Sequence, residues 1–374
     1  MNILKTSAKS VMAFASVAVL AAALFSGCSS PSTGDPSAQT QLQYNPTSMS
    51  GVDLSATIEV QNRHTEELMA IDGVIGTGAG LYSDGTPSVY IFTTRDNVAG
   101  LPSMIEGIHT TVKNTGVIEA GIPSVDEGLG TRKETNKILA AGFTGAYRNP
   151  MYSGVSIGND KECAAGTIGC VVTRNGRNYL LSNNHVFARV NSAKLGERID
   201  QQGRYDAIPQ CAQTGQVASL TQYATINFAR RSTNMVDCAM AEVSSGINWT
   251  SSTPPELPPA VQYTPQATTM SAAVGMNVMK TGRTTGWTSG TIAAINVTIS
   301  VSYGSGKTAT FVGQIYISSP TFSAAGDSGS LIVEQVASGS PNPVGLLFAG
   351  SSNSTIANPI NAVLTAFGVT IVPQ

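Results

Sequence analysis

Charge is scarce in this chain. Only 12% of its residues are charged, Lys+Arg 21 nearly balance Asp+Glu 23, and no basic run occurs. Little is left to attract a nucleic acid. The apolar content of 41% is too high for a largely disordered polypeptide. Histidine is rarer still: of the three, His64 and His109 stand alone and read as surface or packing side chains. Five cysteines include no C-x-x-C pair, so neither a metal nor an organic cofactor is called for. The longest apolar run, residues 11–25, is shorter than the ~20 residues a membrane-spanning helix needs. What is abundant is glycine (38) and proline (18), which suits strands and turns better than helices. A length of 374 residues admits two domains, or three small ones.

The apolar run follows Lys5 and Lys9 and ends in Phe25-Ser26-Gly27-Cys28, the pattern of an export signal over residues 1–27. Small residues before a cysteine resemble a bacterial lipobox, with Cys28 the acylated residue and Phe25 in place of the usual aliphatic one. The chain is therefore expected outside the cytoplasm, in the cell envelope as a lipoprotein or secreted. Its only membrane contact would be that lipid anchor. Residues 28–50, rich in Ser, Thr, Pro and Gln, read as a disordered tether. In an oxidising compartment Cys163, Cys170, Cys211 and Cys238 suggest two disulfides. Cys163–Cys170 and Cys211–Cys238 close the shortest loops, for about 2.5 and about 3.6 kcal/mol on a loop-entropy estimate.

Residues 51–120 read as a small α/β unit, a candidate prodomain. It has a helix over 54–71, strands at 74–81 and 88–93 around Asp84-Gly85, a short helix at 101–108 and a strand at 110–120. Residues 121–150 read as a linker. From 151 to 374 short β-rich runs take over. Strands at 167–174 and 177–182 flank Asn175-Gly176, a strong hairpin signal. Further strands fall at 236–243, 290–301, 308–317, 330–334 and 344–349, and Pro359 opens a helix over 360–367. The proline-rich stretch 254–265 divides the strands into two groups, which suggests a mainly β protein of two packed antiparallel barrels and a closing helix.

One set of residues carries chemistry. Ser328 lies in Gly326-Asp327-Ser328-Gly329-Ser330, just before a strand. A serine hydroxyl needs a base to become a nucleophile, and His185 is the only histidine in this half of the chain. The base needs a carboxylate to orient it. Asp237 leads an apolar strand and is preferred over Asp200 and Asp206. The glycines let the N–H groups of Gly326 and Ser328 converge on an oxyanion. The order His185, Asp237, Ser328 is that of chymotrypsin-type enzymes, and Ser330 breaks the G-x-S-x-G elbow of α/β-hydrolases. Gly304-Ser305-Gly306-Lys307-Thr308 imitates a phosphate loop but lacks the first glycine and the following helix, and reads as a hairpin turn.

With these pieces in view, residues 151–374 resemble a bacterial trypsin-like serine protease of the chymotrypsin clan. Gly169-Cys170-Val171-Val172, Tyr179 to Val186, Val236-Asp237, the Ser328 motif and Gly345 to Gly350 carry the resemblance. It implies two six-stranded antiparallel barrels and a C-terminal helix. It also implies an endopeptidase with His185 as base, Asp237 as orienter and Ser328 as nucleophile, acting on a protein or peptide. Phe322, Leu347, Phe348 and Gly350 would line the substrate site, and the uncharged Phe322 and Leu347 imply a small or apolar residue before the scissile bond. The chain departs from the family in Asn183-Asn184, where alanines are usual. It also lacks a visible Ile-Val-Gly-Gly-like new N-terminus to pair with Asp327. A protease-fold binding module without catalysis is the alternative function.

Overall fold

The computed structural model describes residues 44–121, 142–258 and 261–374. The export signal, Cys28 and most of the expected tether and linker lie outside them. Helix α1 (Ser55–Met69) precedes β1 (Val74–Leu81), β2 (Pro87–Thr93), β3 (Met104–Ile105) and β4 (Ile108–Asn114). Then come β5 (Ser156–Asn159), β6 (Gly166–Thr167), β7 (Cys170–Arg174), β8 (Arg177–Ser182) and the single turn α2 (Asn184–Phe187). Next are β9 (Arg198–Gln201), β10 (Gly215–Tyr223), β11 (Thr233–Asn234) and β12 (Ala239–Val243). The chain finishes with β13 (Asn277–Gly282), β14 (Gly286–Ser302), β15 (Thr308–Ser318), β16 (Leu331–Glu334), β17 (Pro343–Gly350), β18 (Ser354–Pro359), α3 (Ile360–Phe367) and β19 (Thr370–Ile371).

Local chemistry places several of these. Asn175 (φ 51°) and Gly176 (φ 73°) both adopt the left-handed backbone that a tight hairpin turn requires, joining β7 to β8. Pro359 supplies the N-cap of α3, and Gly368, at φ 62°, ends it. Residues 101–108, expected as a helix, instead make a hairpin of β3 and β4 through Glu106 (φ 48°) and Gly107 (φ 82°). The strand expected over 110–120 is two pieces. It leaves β2 at Asn114 and turns at Gly116 (φ 67°), and Ile118 to Ala120 then run elsewhere.

The protein is mainly β. One sheet has eight strands in the order β19-β7-β8-β12-β10-β9-β5-β6. The other has eleven, β11-β15-β18-β17-β16-β13-β14-β1-β2-β4-β3, and β14 also pairs with β15. The pairings of β13 to β18 thus return on themselves as a ring. The seventeen-residue β14 is long enough to serve that ring and also to hold β1 antiparallel, from Gly76↔Ile299 to Gly80↔Ala294. The 51–120 unit is therefore continuous with the second sheet, and Leu54, at the N-cap of α1, and Ile58, in its first turn, pack into that sheet's core. The described end of the tether is also fixed: Asn45 and Met49 N–H groups donate to the carbonyls of Ala272 and Val274.

Alternation along the strands divides the interior. Val171 and Leu180 face the core of the eight-stranded sheet, whereas Cys170, Val172, Tyr179 and Leu181 face a second cluster with Leu331, Val333, Leu346 and Val363. That second cluster is the seam between the sheets, and the candidate site lies along it. Cys163 pairs with Cys211, not with Cys170, at a Cα separation of 5.1 Å. Cys170 and Cys238 are free, buried thiols. The shortest loops mislead because strand parity points Cys170 into the seam, away from Cys163, and Cys238 joins it there. Burial pushes the Cys170 thiol up to about 12, and burial together with the Asp237 charge pushes Cys238 well above its ordinary range. Neither is a nucleophile at neutral pH.

Candidate active site

β8 ends at Ser182, and the turn that follows carries His185 into the interior, 1% exposed. Asp237, just before β12, is fully buried beside it. His185 Nδ1 lies 2.7 Å from Asp237 Oδ2, and the backbone N–H of His185 donates to Oδ1 at 3.3 Å. This clamp fixes the tautomer that donates from Nδ1 and leaves Nε2 as the base. Nε2 is buried and without a hydrogen-bond partner among the described residues. Asp200 and Asp206, the other candidate orienters, are engaged elsewhere. Asp200 binds Arg198 at 3.1 Å, and Asp206 takes Arg283 and accepts the hydroxyl of Ser156 at 2.6 Å.

A third donor reaches the carboxylate. Tyr303 Oη donates to Asp237 Oδ2 at 2.8 Å, its ring edge-on to His185 with centroids 6.1 Å apart. Burial, then the nearby Asp237 charge, raise the phenol's pKa well above its ordinary value and keep it a donor. Sequence reasoning misses Tyr303, which opens the very turn that imitates a phosphate loop. Its one signal is a hydroxyl-bearing aromatic closing a long apolar strand. The turn itself is a hairpin, with Tyr303 N–H on the Lys307 carbonyl at 2.9 Å.

Asn183 and Asn184 account for the missing alanines. Asn183 Nδ2 donates to the carbonyl of Asp237 at 2.7 Å, and Asn184 Nδ2 donates at the same distance to Asn191 Oδ1 and to the Ala224 carbonyl. The Asp237 N–H is held in turn by Asn358 Oδ1 at 3.0 Å. The histidine turn is thus braced by buried amides instead of small apolar contacts.

Ser328 comes from the opposite sheet. Its carbonyl accepts the Thr167 N–H at 2.8 Å, Thr167 Oγ1 donates to the Gly326 carbonyl at 2.8 Å, and the Gly329 N–H donates to the Leu347 carbonyl at 2.8 Å. Gly326 and Gly329 sit at φ 94° and 95°. A Cβ on Gly326 would strike Thr284 and Arg283, and one on Gly329 would strike Ser182 and Thr167. The serine loop is therefore pressed against the end of β8, next to the histidine turn. The N–H groups of Gly326 and Ser328, expected as the oxyanion hole, donate to no acceptor among the described residues. Ser328 Oγ lies 3.4 Å from the carbonyl oxygen of Gly121.

Asp327 has an internal partner. Its carboxylate accepts the N–H groups of Thr284 (2.9 Å), Thr285 (3.1 Å) and Ala324 (2.9 Å) and the Thr285 hydroxyl (2.7 Å). Lys280 Nζ lies 3.4 Å away, both side chains fully buried. Burial lowers the Lys280 pKa, and Asp327 opposes that shift. Asp327 is thus paired from within the chain, by a side chain of β13. Lys280 carried no sequence motif; its signal is a lone lysine inside an apolar strand.

The expected substrate-binding residues fall into two groups. Phe322 and Leu347 are packed with Val278, Ile315 and Ile317 in the core of the second sheet. Phe348 instead joins a cluster with Ile118 and Ala120, and Gly350 exchanges backbone hydrogen bonds with Glu119. His64 and His109 lie outside this site, His64 between Glu106 and Glu67 and His109 stacked on Tyr82.

Residues 260–358 match the Nal1 C-terminal domain family. No curated protein matches the chain. Among solved structures it is similar to a glutamic acid specific serine protease described as using a histidine triad in substrate binding. That pair shares 20% identity over 59% of this chain and 100% of the other, with a TM-score of 0.42. It is also similar to Nocardiopsis protease (17%, 59% and 98%, 0.42) and to Thermobifida fusca protease A (20%, 60% and 100%, 0.42).

Proposed function

We propose that the protein is an exported serine endopeptidase that cleaves peptide bonds through an acyl-enzyme. The observation that carries this reading is the buried clamp of Asp237 on His185, which leaves Nε2 unpartnered on the seam that also holds Ser328. Nε2 would take the Ser328 proton as Oγ attacks a substrate carbonyl, and the N–H groups of Gly326 and Ser328 would receive the oxyanion. His185, now cationic and steadied by Asp237, would pass its proton to the leaving amine, and water would then release the acyl group by the same route. Uncharged Phe322 and Leu347 favour a small or apolar residue before the scissile bond. The Cys163–Cys211 disulfide supports an oxidising destination, with anchoring through Cys28 the route to the cell envelope.

A fluorophosphonate probe and a casein assay test this. The wild type should label and digest, and Ser328→Ala should abolish labelling and lower kcat by on the order of 10⁶. Labelling that survives the substitution overturns the proposal. One observation favours the alternative, a non-catalytic binding module: Ser328 Oγ faces Gly121 and is not bonded to His185. Turnover that disappears in His185→Ala removes that alternative.

A further inference from the structure

The loop before Ser328 is held from behind by a chain of contacts that begins in the other sheet. Arg283, in the turn from β13 to β14, pairs with Asp206, at the end of the single turn Arg204–Asp206 between β9 and β10. Their side chains are only 4% and 5% exposed. Arg283 Nε donates to Asp206 Oδ2 at 2.8 Å, and Nη2 donates to Oδ1. The loop that carries Asp206 is tied down by the Cys163–Cys211 disulfide and by the Ser156 hydroxyl, which donates to the same carboxylate at 2.6 Å. The third guanidinium nitrogen, Nη1, donates to Thr284 Oγ1 at 2.8 Å, and that hydroxyl donates to the Ala325 carbonyl at 2.6 Å. A second strap runs from the Arg283 N–H to Thr167 Oγ1 (3.0 Å) and on to the Gly326 carbonyl (2.8 Å).

The Ala325 carbonyl and the Gly326 N–H belong to one trans peptide unit, in which they point in opposite directions. Holding the carbonyl against Thr284 therefore turns the N–H the other way, where it meets no acceptor among the described residues. Gly326 alone cannot impose this. A glycine admits either sign of φ, so half a turn of the unit needs only ψ of Ala325 and φ of Gly326 to change. A rigid guanidinium that reaches two acceptors at once suits such a lock. Stability alone is a weak reason for burying the pair, because desolvating both charges offsets their attraction. We propose that Asp206, Arg283 and Thr284 are positioning residues for catalysis, a relay from the disulfide-tied loop that locks the Ala325–Gly326 peptide with its N–H toward the oxyanion. The proposal rests on the endopeptidase reading above and deepens it. With the relay broken, the unit turns over, its carbonyl enters the site, and one of the two oxyanion donors is lost.

Thr284→Val deletes the linking hydroxyl while nearly keeping the side chain's shape. It should lower kcat on one peptide substrate by about 100-fold, the scale of one lost oxyanion donor, with KM unchanged. Inhibition by a peptide aldehyde, whose adduct with Ser328 places an oxygen in the oxyanion hole, should weaken in parallel. Thr284→Ser keeps the hydroxyl and should restore the wild-type rate. Arg283→Lys keeps a cation on Asp206 but loses the fork, and should lower kcat about 10-fold, again at constant KM. A folded Thr284→Val with wild-type kcat, or a loss of kcat that leaves aldehyde inhibition untouched, overturns the relay and leaves the endopeptidase reading standing. Should Thr284→Val fail to fold by circular dichroism, Arg283→Lys decides by the same two readouts. A wild type that neither cleaves peptides nor takes a fluorophosphonate brings down both.

Discussion

Three donors converge on one buried carboxylate at Asp237, and this sets how the base behaves. Tyr303→Phe removes one of them without changing shape. A buried acceptor that loses a partner costs about 1–3 kcal/mol, so kcat/KM should fall roughly 10-fold. Circular dichroism should remain native, and steady-state kinetics on one peptide will show whether the rate falls. Lys280→Met should act on stability instead. Removing one member of a buried pair costs about 3–5 kcal/mol because the other charge is left uncompensated. Urea denaturation should show that loss. Both Tyr303 and Lys280 escaped sequence reasoning for one reason: each acts through a partner distant in the chain, and neither sits in a motif. His185, Asp237 and Ser328 were legible because a glycine-flanked serine, a single histidine and an acid leading an apolar strand restrict the choices.

At the scale of elements, legibility followed local backbone chemistry. The Asn175-Gly176 hairpin and the Pro359-to-Gly368 helix were readable because their turn and cap residues leave few conformations. Residues 101–108 misread because Leu101, Ile105 and Ile108 fall at helical spacing while Glu106-Gly107 makes a turn. That turn also docks α1. Glu106 lies on Arg63 and His64 of the helix, and these partners hold its carboxyl down to about 2. A carboxyl lowered in the folded state contributes stability above its ordinary pKa, and that contribution is lost as pH falls toward the lowered one. Thermal stability of the wild type should thus decline between about pH 4.5 and about pH 2, and Glu106→Gln should flatten that decline. Because the group is exposed, added salt should shrink the difference.

For the whole molecule, the disulfide and the long strand matter most. Cys163–Cys211 spans 48 residues, against the short loops first expected, and a loop of that length is worth about 4 kcal/mol on the chain-entropy model. Cys163→Ser with Cys211→Ser should lower the unfolding free energy by that order, and reductant should then have no further effect on the variant. Which cysteines pair could not be read from spacing, because pairing depends on which face of a strand each side chain takes.

β14 has one further consequence. Along Ala294 to Ile299 its backbone is saturated by β1 on one side, above side chains as apolar as Ile295, Val297 and Ile299. A shortened chain that lost everything before residue 118 would uncover that edge as a long, greasy, unprotected rim. Such rims recruit strands from neighbouring molecules, so the truncated form should precipitate or oligomerise unless something else caps it.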